Sequence, residues 1–124
     1  MYTFGDYQTD LDVRGVWCAT IPPNTTQNLD WVCPGQRYLT GIRYEKTGGG
    51  DCDEVDLQII HPASGAILKQ FGTKVYILSN GRDDFYKAVV PAGLIIRAVY
   101  KNTDLLAAAH FKANLILHKD RVIV

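Results

Sequence analysis

Between Ala109 and Lys119 the chain alternates with a period of two. Ala109, Phe111, Ala113, Leu115 and Leu117 fall on one side of an extended backbone, His110, Lys112, Asn114 and His118 fall on the other, and only Ile116 breaks the pattern. Successive side chains of a strand point to opposite faces, so this alternation is that of an antiparallel strand with one face in a core. Upstream, Leu94 to Tyr100 is apolar on nearly both faces, which predicts a central strand. The turn Pro91-Ala92-Gly93 joins it to Phe85–Val90.

The rest of the chain repeats the theme. Leu11, Val13, Gly15, Trp17, Ala19 and Ile21 set the alternation of a long first strand, which Pro22-Pro23 stops because proline cannot donate to a ladder. Thr25–Cys33 predicts a second strand, and Pro34-Gly35 turns the chain into a third, Gln36 to Lys46. Thr47-Gly48-Gly49-Gly50-Asp51 is a loop in which positive φ costs little. Val55, Leu57 and Ile59 against Glu54, Asp56 and Gln58 mark a fourth strand. Ala66–Phe71 and Thr73–Leu78 predict one kinked strand or two short ones with a bulge at Gly72, and Asn80-Gly81 signals a hairpin. Leu105 to Ala108 could form a single helical turn inside a connection.

Eight or nine strands at close spacing, with no long helical period, predict an all-β antiparallel sandwich, a jelly roll in preference to an immunoglobulin-like one. At 124 residues the chain is expected to form one domain over residues 11–124, preceded by an N-terminal arm of residues 1–10. Tyr2, Phe4 and Tyr7 of that arm are aromatic and are the expected interface residues.

Thirteen basic and thirteen acidic residues give a formal charge of zero, so no electrostatic footprint for nucleic acid or an anionic membrane is expected, while near-neutral copies associate readily. No run approaches the roughly 18 apolar residues of a membrane helix, and the first residues lack the pattern of a secretory signal, which predicts folding in the cytoplasm. Cys18, Cys33 and Cys52 include no Cys-x-x-Cys pair, which excludes a zinc ribbon and leaves a Cys33–Cys52 bridge as the pairing to consider.

Reactive chemistry is sparse. Asp51, Asp53 and Asp56 are the weak candidates for a hard cation, but their spacing lacks the calcium-loop pattern and a solvated loop is the better expectation; no metal or cofactor is predicted. His110 and His118 lie too far apart along one strand to share a metal, and with His61 they are expected at the surface. No nucleophile sits in a recognisable elbow, so no enzymatic activity is expected. Trp17, Trp31, Tyr38 and Tyr44 could form the platform of a carbohydrate-binding sandwich, although Trp17 and Trp31 fall on apolar strand faces, where core packing is the simpler role.

The strand entry Val89-Val90-Pro91-Ala92-Gly93-Leu94-Ile95-Ile96-Arg97-Ala98-Val99-Tyr100 and the closing strand Phe111–Leu117 resemble those of small jelly-roll structural proteins of tailed bacteriophages, the capsid decoration and neck or tail-attached proteins. The resemblance covers about the last forty residues. It implies a non-enzymatic virion protein, made in the host cytoplasm and placed on the capsid or tail, that assembles as a trimer or other ring and contacts other virion proteins.

Overall fold

The computed structural model describes residues 11–75 and 82–119, with side chains described for 17–71 and 88–119. Among them are eight strands: β1 (Leu11–Ile21), β2 (Thr26–Val32), β3 (Arg37–Gly48), β4 (Glu54–Ile60), β5 (Ile67–Val75), β6 (Arg82–Val90), β7 (Ile95–Lys101) and β8 (Ala109–His118). They form two four-stranded sheets in the orders β1-β8-β3-β6 and β2-β7-β4-β5, antiparallel throughout. Every connection but β4–β5 crosses between sheets, which is the jelly-roll winding. An immunoglobulin sandwich would keep the first two strands in one sheet, whereas here they lie in opposite sheets.

The inward faces close over Trp17, Ile21, Leu39, Ile42, Leu57, Ile96 and Leu115 among others. Leu94–Tyr100 is central as expected, since β7 lies between β2 and β4. In β8 the residues 109, 111, 113, 115 and 117 are buried, and Ile116 lies half-buried on the other face. β5 is one strand whose register with β4 slips between Gln70 and Thr73, around Gly72, where the bulge was anticipated.

Some expectations are corrected. β3 runs through Gly48 rather than ending at Lys46. Leu105–Ala108 forms no helical turn; it is a bent loop. Asp56 and Gln58 lie on the outer face of β4 but are buried, because Gln58 and Gln70 both donate their amides to the Asp56 carboxylate and close over it. His118 is buried against Thr40 (Nε2 to Oγ1, 3.1 Å) instead of lying at the surface. The Asn80-Gly81 hairpin lies outside the described residues.

The bulge at Thr40 sets the phase of β3. Register slips between Leu39 and Gly41 against both β6 and β8, so an inward Leu39 is followed by inward Ile42, Tyr44 and Lys46. One extra residue flips everything after it to the other face.

Candidate functional site

The connections β1–β2, β3–β4 and β7–β8 gather at one end of the sandwich, here the loop end; residue Leu11 enters and His118 leaves at the other. A buried ionic cluster lies under the loop end. Asp53, fully buried, takes hydrogen bonds at Oδ1 from the Gly50 N–H (3.0 Å), the Thr103 N–H (2.8 Å) and the Thr103 hydroxyl (2.9 Å). Its Oδ2 accepts from the Tyr100 hydroxyl at 2.5 Å and faces Lys46 Nζ at 3.4 Å. Lys46, turned inward by the Thr40 bulge, also donates to the Gly50 carbonyl.

Burial alone would raise the Asp53 pKa. The hydrogen bonds from the Thr103 backbone, Tyr100, the Thr103 hydroxyl and Gly50 together outweigh it and hold the carboxyl below its ordinary value. Burial first, then the bond to Asp53, pushes the Tyr100 phenol far up, so it stays a donor across the working pH range. Beneath the phenol, Tyr100 and Phe111 stack at 5.0 Å and Tyr44 and Phe111 at 6.3 Å, both tilted, which anchors the cluster to the core.

The glycines of the β3–β4 loop are required by this packing. Gly49 has φ +70°, and a Cβ there would collide with the Asp53 carboxylate and come within 2.8 Å of the Ala109 Cβ. The Gly49 N–H donates to the Ala108 carbonyl (3.0 Å), which ties β3–β4 to β7–β8.

The β7–β8 loop is braced again by Asn102. Its Nδ2 donates to the carbonyls of Ile21, Pro22 and Ala107 (3.2, 3.2 and 2.9 Å), and its Oδ1 accepts from the Asp104 N–H (3.0 Å). Asp104 Oδ1 then accepts from the N–H groups of Leu106 and Ala107, both at 2.8 Å, which lowers its pKa. The Asn24 N–H donates to the Asp104 carbonyl at 2.7 Å, with Asn24 at φ +49°. So fixed, the loop presents Leu105 and Leu106 to solvent at 73% and 91% exposure. The two leucines are apolar surface carried on a hydrogen-bonded loop.

The residues singled out in the sequence are dispersed. Asp51 is exposed at the loop end, Asp53 is engaged by Lys46 and its donors, and Asp56 lies on the outer face of β4; among the described residues no three His, Cys, Asp or Glu side chains form a metal-binding group. Trp17 and Tyr44 are buried in the core, and Trp31 and Tyr38 are half-buried, Trp31 against the core. Tyr2, Phe4 and Tyr7 lie outside the described residues. His61 Nδ1 accepts from the N–H groups of Ala63 and Ser64 and caps a turn, and His110 Nδ1 meets the Thr20 hydroxyl at 3.0 Å.

None of Cys18, Cys33 and Cys52 is in a disulfide. A Cys33–Cys52 bridge is out of reach: Cys33 follows Val32, which lies level with Ile60, while Cys52 precedes Glu54, so the length of β4, roughly 20 Å, separates them. Sequence reasoning passed over Asn102, Thr103 and Leu106; the one available signal was a Leu-Leu pair in a polar connection.

No family model matches the chain, and no curated protein matches it either. Among solved structures, the crystal structure of the Yersinia pseudotuberculosis-derived mitogen resembles it at a TM-score of 0.47 and 9% identity, over 90% of this chain and 89% of that one. At that level the likeness bears on neither partner nor activity.

Proposed function

We propose that this chain is a non-enzymatic structural module that associates with copies of itself and docks on a larger protein surface, as a decoration, neck or tail component of a virion does. The observation that supports it is the loop end, where Asp53, Asn102 and Asp104 are spent on stiffening loops that hold Leu105 and Leu106 bare. An ordered loop loses little conformational freedom on docking, so burial of its leucines goes into affinity, and many copies add avidity. The carbohydrate-binding alternative has less support, because Trp17 and Tyr44 turn their rings into the core.

Light scattering over a hundredfold concentration range tests self-association. A mass above that of one 13.8 kDa chain, rising with concentration or constant as a closed ring, is expected. A single-chain mass at every concentration overturns it.

A further inference from the structure

Among the described strands each sheet ends in two edges, β1 and β6 in the first and β2 and β5 in the second. An open edge is a template for pairing with another chain, and proteins blunt it with bulges, proline, lysine or other charges. Three of the four edges carry such devices. β1 slips against β8 between Gly15 and Trp17. β6, with Arg82, Asp83, Asp84 and Lys87 in its sequence, falls out of step with β3 between Phe85 and Ala88. β5 slips twice against β4 and includes Lys69, Gly72 and Lys74. β2 is bare: Thr26–Val32 contains no proline, glycine or lysine and pairs with β7 without a slip. Its one charge, Asp30, is gripped by Arg97 of β7 through two bonds (Nε–Oδ1 2.7 Å, Nη2–Oδ2 3.0 Å).

The bonds at either end of β2 fix which of its groups face outward. The Asn102 N–H donates to the Thr25 carbonyl (2.9 Å), and Cys33 both donates to the Leu94 carbonyl (2.9 Å) and accepts from the Gly93 N–H (2.8 Å). In an antiparallel ladder the residues that bond to one neighbour alternate with those that bond to the other side. The odd-numbered residues from Thr25 to Cys33 therefore bond toward β7, and Thr26, Asn28, Asp30 and Val32 aim their N–H and C=O groups out of the edge. These four residues are exposed, Val32 to 57%.

We infer that β2 pairs antiparallel with β2 of a second copy about a two-fold axis at Leu29, so that Thr26 faces Val32 of the second copy and Asn28 faces Asp30 of the second copy. The inference rests on the self-association proposed above and names its surface. The edge fits its own reverse. In this register all four outward residues find mates, each pair exchanging two backbone bonds, and the Asn28 amide meets the Asp30 carboxylate on both sides of the axis. A slide by two residues drops one pair and centres the contact on Asn28 facing Asn28 or on Asp30 facing Asp30, the latter with like charges directly opposed. On the inner face Leu29 meets Leu29, and the half-buried Trp31 lies beside Gln27 of the second copy. Such a contact is isologous and closes at two copies, joining two four-stranded sheets into one.

Sedimentation velocity from about 1 to 100 µM tests it, because an edge contact is smaller than the standard interface of about 800 Å² per partner and dissociates in that range. The parent chain is expected to run as a monomer in equilibrium with a dimer. Asn28→Pro removes an N–H that points out of the edge and none that bonds to β7, so the melting temperature stays near the parent's. Association weakens about fivefold to a hundredfold, since symmetry removes two bonds. Charge at the same exposed position reads the register. Asn28→Asp sets a carboxylate against Asp30 on each side of the axis and weakens the dimer, whereas Asn28→Lys sets an ammonium there and does not, a split of about twofold to thirtyfold. Association unchanged by all three variants, or Asn28→Asp and Asn28→Lys associating alike, overturns the β2 edge and leaves self-association standing. A parent chain that stays monomeric overturns both. If Asn28→Pro melts early, the two charge variants alone decide.

Discussion

Replacing Asp53 with Asn probes the cluster beneath the loop end. The side chain keeps its shape, but the charge opposite Lys46 is lost, and an amide NH₂ must face either Tyr100 and Lys46 or the two donors of Thr103 and that of Gly50. Breaking a buried, hydrogen-bonded ion pair by removing one partner costs about 3–5 kcal/mol. Lys46 retains the Gly50 carbonyl, which puts Asp53→Asn at the lower end, about 3 kcal/mol by the same estimate. For a domain of this size that lowers the melting temperature by about 10–15 °C, read by near-ultraviolet circular dichroism or calorimetry.

The same variant carries a pH signature. The folded carboxyl titrates below its unfolded value of about 3.9, so the stability it contributes is complete above that value and is lost as pH falls through the folded pKa. The gap between parent chain and Asp53→Asn is therefore constant near neutrality and narrows below about pH 4, because only the parent loses this contribution there. A loss under about 1 kcal/mol at neutral pH would place the cluster among exposed pairs of little worth. A gap unchanged down to pH 3 would show that the ionised carboxylate is not what the variant removes.

Two glycines with nearly equal φ separate backbone strain from crowding. Gly65→Ala has φ +72° and open space around its Cβ, so it costs about 1–2 kcal/mol from left-handed geometry alone. Gly49→Ala adds contact with Asp53 and Ala109 and costs about 1–3 kcal/mol more; equal losses in urea titrations would refute the close packing of the β3–β4 loop. Cys18 and Cys52 are exposed and Cys33 is buried, its Sγ–H directed to the Gly35 carbonyl at 3.0 Å. A chromogenic disulfide reagent should release two equivalents quickly and the third only on unfolding, and a Cys33–Cys52 cross-link under mild oxidation would contradict the strand order.

What the sequence disclosed and what it hid follow from the range of the interactions. Alternation is local, so the strands around Leu57 and Leu115 were legible, and the jelly-roll preference agrees with the observed order β1-β8-β3-β6 and β2-β7-β4-β5. Phase is less local. Nothing around Thr40 announces a bulge, because the extra residue is accommodated by partners 76 and 78 positions away: its hydroxyl donates to the Ile116 carbonyl and meets His118. Without that slip Tyr44 and Lys46 would face outward, and Asp53 would have no buried cation beneath it. The acidic loop therefore read as a solvated or cation-binding segment, when its central carboxylate is held by Tyr100 and Thr103 from 47 and 50 residues further along the chain. The Leu105–Leu106 pair shows the converse. The sequence allows a single helical turn there, and instead the side chains of Asn102 and Asp104, with the bonds from the Asn24 and Gly49 N–H groups to the Asp104 and Ala108 carbonyls, take up the loop's backbone groups and leave those leucines in solvent. Polar residues that would ordinarily mark a connection of no consequence are what brace this one, so that its two leucines stay in solvent rather than collapse onto the sandwich.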